Sequence, residues 1–412
     1  MKGAPRLAGG PRGCRSARGC DTIAALSEAV EVSVVMPCLN EADTVARCVT
    51  KARRALEAAG LQGEVIVADN GSTDDSPRLA AEAGARVIAV AEKGYGAALM
   101  GGIAAARGRF VVMADADDSY DLLEVPRFVE KLRDGFDLVQ GCRLPSGGGR
   151  VVPGAMPLLH YWLGNPLFSF LARLWFGSPV RDVYCGLRGF RRQFQTGLGQ
   201  RCTGMEFATE MVLRSALDGA SIAEIPITLH PDGRRVRAPH LKTFRDGWRT
   251  LRLLLLYSPR WLFLLPGLLL IALGGLGYAL ALPGVRIGGI TFDAHTLLFA
   301  SLGLIVGLQA VLFFLVTKAY AISEGLLPSD VRVRRFLDLV QLEKGLAVGL
   351  FACLIGSGLL LAAVNEWRLA GFGSLDYAHT MRRVIPGATL VALGVQTLMS
   401  SFVVSLLAMQ RR

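Results

Sequence analysis

Between Glu31 and about Pro231, short runs of apolar and often β-branched residues alternate with longer stretches of helical spacing. The strand-sized runs are residues 32–36, 64–68, 86–90, 110–114 and 137–141, and the stretches 42–59, 76–84, 94–107 and 122–133 between them carry the periodicity of helices. Several runs are apolar throughout rather than alternating, as strands buried on both faces must be. Strand following helix in this way predicts an α/β domain with a mostly parallel sheet covered on both sides.

After Pro259 the pattern changes. Four long apolar segments follow, at 261–282, 294–320, 345–364 and 384–409, each reaching the ~20 residues that cross a bilayer. One such run could be a buried core helix; four in series, almost free of internal charge, predict a four-helix transmembrane region over 261–412. The loops set its orientation. Arg245, Arg249, Arg252 and Arg260 precede the first span, Arg332, Arg334, Arg335 and Lys344 lie between the second and third, and the chain ends in Arg411 and Arg412. All three groups fall on one side, which the positive-inside rule makes the cytosol, with the N-terminal domain there too. Arg368, Arg382 and Arg383 lie on the opposite side, against the rule.

Two further segments stand out: 160–176 has aromatic and aliphatic residues with a lone Arg173, and 241–256 mixes Trp, Leu and Arg. Both have the make-up of helices lying in the headgroup layer. Packing on the sheet gives the same pattern for the first; the second runs into a span, so 243–260 is expected to be an interfacial amphipathic helix. Residues 1–30, rich in Gly, Arg, Pro and Ala with no apolar period, are expected to form a disordered basic tail. No long apolar stretch follows as it would in a signal peptide. The domain between them spans 31–242.

Composition sharpens this picture in two ways. The formal net charge is +11, but no zinc finger or nucleic-acid signature accompanies it, so no nucleic-acid partner is expected. Much of the charge stands beside apolar segments, which points to a membrane surface. The eight Cys include no pair at CxxC spacing, as expected of reduced thiols rather than a zinc or redox site.

Candidate chemistry clusters where strands end. In VVMADADDSYD, residues 111–121, an apolar strand runs into Asp115, Ala116, Asp117 and Asp118. Ligands of parallel sheets bind at the carboxyl ends of strands. Two carboxylates there can hold Mg2+ or Mn2+ while a diphosphate completes the shell. An Asp-rich turn has the same letters, but this one has company. The first strand ends in VVMPCLNEAD, the second in VIVADNGSTDDS, where Asp69 stands before a tight turn and can accept hydrogen bonds from a base or ribose. In AEKGYGAALMGGIAAARG, Gly94 and Gly96 let backbone approach a ligand and Lys93 can meet a phosphate. Neither a Walker loop nor a GxGxxG fingerprint is present.

Taken in order, PCLNE, ADNGSTDDS, KGYGAA, DADD, GCR, DVYCGLRGFRR and GMEFATEM resemble the family 2 glycosyltransferases of GT-A (Rossmann-like) fold, and within them the dolichyl-phosphate mannose and glucose synthase group. The resemblance covers roughly residues 31–242. It implies inverting transfer of a hexose from UDP-glucose or GDP-mannose to a polyprenyl phosphate at the membrane, with DADDSYD tilting toward the glucose-type branch. It places Pro37, Glu41 and Asp69 at the nucleoside, and Asp115, Ala116 and Asp117 at the metal and diphosphate. Arg143 is placed at the phosphates of donor or acceptor, Asp182 as a positioning residue or base, and Arg188 beside it. Glu206 and Glu210 would shape the pocket. Related synthases often have Asp-Ala-Asp-Leu-Gln, so Asp118 and Ser119 leave the third metal ligand open. The basic segment 231–242 stands where an acceptor loop is expected, which makes Arg234, Arg235, Arg237, His240 and Lys242 candidates for the acceptor phosphate. Whether the chain forms a homo-oligomer is left open.

A phosphate acceptor also fits the chemistry. A phosphomonoester is largely dianionic at neutral pH, with a second pKa near ~6. It needs cations to hold it in line more than it needs a base, and the chain offers many Arg but no clear His–carboxylate pair; His160 is expected to pack or edge the lipid. The alternatives are a membrane glycosyltransferase with a saccharide or another lipid as acceptor, and a non-enzymatic lipid transport or scaffold protein. A processive polysaccharide synthase is disfavoured because QxxRW is missing, and transport because the spans carry no charge cluster.

Overall fold

The computed structural model describes residues 30–234, 243–328 and 342–409. The expected N-terminal tail and the basic loop between the second and third spans fall outside these residues.

The five expected strands are present as β1 (Val32–Cys38), β2 (Gly63–Asp69), β3 (Arg86–Ala89), β4 (Phe110–Met113) and β5 (Leu138–Cys142). The expected helices are α1 (Val45–Ala58), α2 (Ser76–Glu82), α3 (Tyr95–Ala105) and α4 (Val125–Arg133). β1 shows why the pattern was readable: Val32, Val34, Val35 and Met36 are wholly buried, and its one polar residue, Ser33, bonds Glu64 and the Gly108 amide. α1 buries Val45, Cys48, Val49, Ala52, Ala55 and Leu56, the stripe that 3.6-residue spacing makes.

The sheet has seven strands in the order β3-β2-β1-β4-β7-β5-β8. β7 (Arg188–Arg191) and β8 (Ile222–Pro226) were not among the expected strands. β8 pairs parallel with β5, whereas β7 is antiparallel to both neighbours and wedges β5 away from β4. The short strands β6 (Arg150–Val151) and β9 (Thr228–Leu229) pair beside the sheet. One apolar core lies between the sheet and α1, α2 and α4. The other lies under α3 and under α5 (Asn165–Phe176), α6 (Arg192–Gly197), α7 (Phe207–Leu217) and α8 (Thr243–Tyr257).

Both candidate interfacial segments pack one face on the α/β domain and expose apolar side chains on the other. α5, entered through a π-helical turn at His160–Gly164, buries Asn165, Ser169 and Ala172 against the domain and exposes Leu163, Leu167, Phe170 and Leu174 along the opposite stripe. α8 buries Thr250, Leu253, Leu254 and Tyr257 and leaves Phe244 and Trp248 outside. His160 meets Thr243 at 3.0 Å, and Trp175 stacks on Trp261 at the head of the first span, ring centroids 5.7 Å apart. The exposed apolar stripe is thus continuous with the membrane module.

That module comprises α9 (Leu265–Ala281), α10 (Ala294–Ser323), α11 (Leu342–Leu369) and α12 (Tyr377–Met409). With the turn before α9, all four are long and apolar enough to cross a membrane. α9 packs on α10 and α11 on α12. The second pair meets through small residues: a Cβ on Gly356 would stand 2.6 Å from the Gly387 carbonyl oxygen, the close approach that glycine permits between spans. At the end of the module away from the α/β domain, the basic residues that break the positive-inside pattern are partnered. Arg382 pairs with Asp293 (3.1 Å), Arg383 with Glu366 (2.7 Å), and Arg368 bonds Asn365 (2.9 Å).

Gly356→Leu is expected to lower the thermal unfolding midpoint in detergent, with overpacking strain of about 1–3 kcal/mol. Gly358→Leu, on the same helix with open space around it, is expected to leave the midpoint unchanged.

Candidate active site

The carboxyl ends of β1, β2 and β4 converge on one acidic pocket. β4 is buried along its length, so the chain leaves it rigidly and delivers Asp115 next to the end of β1. The Asp115 carboxylate accepts a 2.8 Å bond from the Tyr95 hydroxyl, presented by the first turn of α3. Asp117 accepts from the Ser119 amide (3.1 Å) and hydroxyl (2.6 Å), which fixes its rotamer. Between them, the Ala116 carbonyl takes the Thr44 hydroxyl at 2.7 Å. Asp118 adopts a left-handed φ of 63°, a conformation Asp tolerates better than most residues. That turn swings its side chain away from the pair to Arg47 and Lys51 of α1, both at 2.8 Å. Asp118 therefore clamps the loop to α1 and is not a third ligand.

Burial and the adjacent charge of Asp117 push the Asp115 carboxyl up to about 6, against the opposing pull of the Tyr95 hydroxyl, Arg234 and Arg143. Cations answer this crowding from two sides. Arg234 grips both oxygens of Glu41 (2.5 and 2.9 Å) and stands 3.4 Å from Asp117. Arg143 is nearly buried and its guanidinium takes both oxygens of Asp182, at 2.7 and 2.8 Å. Its charge reaches Asp115 and also His160, whose pKa burial and Arg143 together lower. A Cβ on Gly186 would stand 2.6 Å from the Asp115 carboxylate, and the Val183 amide donates to Ser169 of α5, so the 182–186 segment joins the acidic pocket, Arg143 and α5 in one neighbourhood.

The donor-side residues line up along the same edge. Pro37 is half-buried at the end of β1. Asp69 accepts the Gly71 and Ser72 amides at 3.1 and 3.2 Å and so shapes the turn after β2. Asn40 ties the two loops together, its amide donating to Ser72 and its side chain accepting from Thr73. Lys93 closes over this turn, donating to the Asn70 carbonyl at 2.7 Å. Glu41 belongs to the pocket but is covered by Arg234, so a ligand reaching it must displace that guanidinium.

Other expectations change. Arg188 is wholly buried in β7 and donates to the carbonyls of Ala208 (2.6 Å) and Cys185 (2.5 Å). It holds backbone together and cannot reach an acceptor phosphate. Asp182 is wholly buried with both oxygens occupied, which leaves a positioning role and removes that of a base. Glu210 is buried in a hydrogen-bond cluster behind α3 rather than lining the pocket, whereas Glu206 lies at the head of α7 beside Gly204. Of the acceptor-loop candidates, Arg234 joins the site, while Arg235, Arg237, His240 and Lys242 fall outside the described residues. Tyr95 was missed: the glycines of KGYG drew attention to the backbone, and nothing in four letters tells that the tyrosine between them points at Asp115.

Whether the pocket suits a divalent cation follows from its donors. Asp115 and Asp117 are hard oxygen ligands, and burial together with the neighbouring Asp117 disfavours the charged form of Asp115, which a cation would relieve. A guanidinium already stands at the edge of the pair. No cluster of three or more His, Cys, Asp or Glu suited to a metal occurs among the described residues. The pair thus fits Mg2+ or Mn2+, which keep water or substrate phosphate in their shells.

A carboxyl with a raised folded-state pKa weakens folding once the pH climbs past the ordinary carboxylate range, and the penalty is complete above about 6. Without divalent cation, Asp115→Asn is expected to raise the unfolding midpoint at about pH 7.5, by an amount on the order of 1–3 kcal/mol, and to give no gain near about pH 4. Asp182→Ala is expected to act oppositely. It strands the Arg143 guanidinium and is expected to lose about 3–5 kcal/mol in chemical denaturation.

Comparison with known proteins agrees with this architecture. Residues 33–197 match the glycosyl transferase family 2 domain, and residues 315–408 match the glycosyltransferase family 2 C-terminal transmembrane region. The low-salt glycan biosynthesis hexosyltransferase Agl6 of Haloferax volcanii is 37% identical over 90% of this chain and 87% of its own length. A dolichyl-phosphate hexose transferase of the same organism is 33% identical over 53% of this chain and 89% of its own. Among solved structures, glucosyl-3-phosphoglycerate synthase from Mycobacterium tuberculosis is 26% identical, covering 55% of this chain and 78% of that one with a TM-score of 0.44. With a mostly parallel GT-A-like domain, an acidic strand-end pocket, four apolar helices and a relative matched almost end to end, the chain belongs to glycosyltransferase family 2.

Proposed function

We propose that the protein transfers a hexose, with inversion, from a nucleotide diphosphate sugar, UDP-glucose or GDP-mannose, to a polyprenyl phosphate at the cytosolic face of the cell membrane. The observation that carries this is the adjacency of three things around the 182–186 segment: the Asp115–Asp117 pair against Gly186, the buried Arg143 on Asp182, and the stripe-bearing α5, whose Ser169 accepts the Val183 amide. A water-soluble anionic donor and a membrane-held anionic acceptor can both reach that point.

The residues divide the work. Pro37, Glu41, Asp69 and Lys93 border the nucleoside and first phosphate. Asp115 and Asp117, with the Ala116 backbone, stand at the diphosphate, where a bound Mg2+ or Mn2+ would offset charge on the departing nucleotide. Arg143, aimed by Asp182, attracts the acceptor phosphate. That dianion attacks the anomeric carbon without a protein base, because its oxygen carries no proton to remove. Arg234 leaves Glu41 as donor enters and becomes available to a phosphate, a step the candidates Arg237, His240 and Lys242 would share. A cytosolic catalytic domain is supported by Arg245, Arg249, Arg252 and Arg260 at its end of the spans, while the opposing Arg382 and Arg383 are paired.

Membranes containing the protein, given labelled UDP-glucose or GDP-mannose and polyprenyl phosphate with Mg2+, are expected to form an acid-labile labelled lipid. Asp117→Ala is expected to lower its formation by at least about 100-fold. Transfer to saccharide or other lipid acceptors alone, or undiminished transfer by the variant, refutes the proposal.

A further inference from the structure

Behind the pocket, a second network runs from the ends of two spans to Asp115. At its centre is Glu210 on α7, wholly buried. Its carboxylate accepts the amides of Arg201 (3.0 Å) and Cys202 (2.9 Å), the Arg214 Nε–H (3.2 Å) and the Tyr257 hydroxyl (2.7 Å). A charged acceptor with four donors is an unusually firm anchor for a loop.

Toward the site, the anchored loop seats α3. The Thr203 carbonyl accepts the Ala97 amide at 3.1 Å. The two backbones approach so closely that a Cβ on Gly94 would lie 2.2 Å from the Thr203 oxygen, and one on Gly96 would lie 2.5 Å from the Cys202 oxygen. Both glycines of KGYG are thus explained by this contact. Tyr95 stands between them, and its hydroxyl holds Asp115.

Toward the membrane, Tyr257 is the last residue of α8, just before the first span. Arg201 donates to the Glu324 carbonyl (2.8 Å) and Arg214 to that of Gly325 (3.4 Å), both at the end of the second span. A cavity of about 330 Å3 lies at this junction. The joint there is not closely filled, and the two arginines cross it by hydrogen bonds to backbone.

We propose that Glu210 is a positioning residue for sugar transfer: it fixes the loop that seats α3, hence Tyr95 and Asp115, and couples that seating to the ends of the first two spans. This rests on the role given above to Asp115. Apart from its end at Asp115, the network consists of bonds among protein groups behind the pocket. Its effect should therefore fall on the placement of the diphosphate-binding carboxylate and hence on turnover.

The test uses the full-length protein in lipid nanodiscs. Glu210→Gln, whose single amide oxygen can take either the Arg201 and Cys202 amides or the Arg214 and Tyr257 donors but not both pairs, is expected to lower kcat about 10- to 100-fold, with donor KM within about twofold. Hydrogen–deuterium exchange of the peptide at residues 94–99 is expected to rise in the same variant. Should Glu210→Gln fail to fold, Tyr257→Phe removes a single bond of the cluster and is expected to lower kcat about threefold and raise exchange at the same peptide. If Glu210 acts through Tyr95, adding Glu210→Gln or Tyr257→Phe to Tyr95→Phe slows the enzyme little further. Multiplicative losses, or unchanged exchange at 94–99, overturn the inference. Asp115→Asn separates the two levels. Wild-type transfer by that variant defeats the reading of the pocket itself, whereas an inactive Asp115→Asn beside a wild-type-like Glu210→Gln defeats only the role of Glu210.

Discussion

The site is governed by charge held out of water. β4 carries Asp115 into a partly enclosed pocket where water screens it poorly, and Asp117 follows two residues later with the same sign. In a medium of low dielectric such a pair is tolerable only if positive charge stands close by. The surroundings follow from that demand. Arg234 spans Glu41 and Asp117, Arg143 contributes from β5, and Arg143 in turn needs Asp182 because it too is buried. Asp118 would have made the crowding worse, and the left-handed turn that removes it to Arg47 and Lys51 keeps a third charge out.

Much of this could be read before the fold was seen, for a physical reason. Parallel strands are buried on both faces, so β1, β2, β4 and β5 appear as mostly apolar runs, and the acidic letters at the ends of β1, β2 and β4 mark the ligand edge. What could not be read depends on contacts distant in sequence. β7 is four residues, Arg-Gly-Phe-Arg, with no apolar run, and exists because β4 and β5 leave a slot for an antiparallel strand. Its Arg188 looks like an acceptor ligand in the motif DVYCGLRGF, yet its length lets it reach carbonyls on both sides of the core instead. Tyr95 and Glu210 gain their meaning only when the 201–204 loop is laid on α3.

The membrane half illustrates the same limit. Length and hydropathy identify the spans, because crossing a bilayer is a one-dimensional demand. The orientation signal is blurred by Arg368, Arg382 and Arg383, because the positive-inside rule counts Lys and Arg whatever they are paired with. In the fold two of them end in ion pairs, with Asp293 and Glu366, and the third bonds Asn365.

The exposed apolar stripe Leu163–Leu167–Phe170–Leu174 gives the proposed reaction a kinetic consequence. On that proposal, a catalytic domain laid against the bilayer along this stripe would search for its lipid acceptor in two dimensions. The relevant concentration is then the mole fraction of acceptor in the surface, independent of the volume of buffer. Such an enzyme responds to what else is dissolved in its membrane, so inert lipid acts as diluent and the supply of nucleotide sugar remains an ordinary solution quantity.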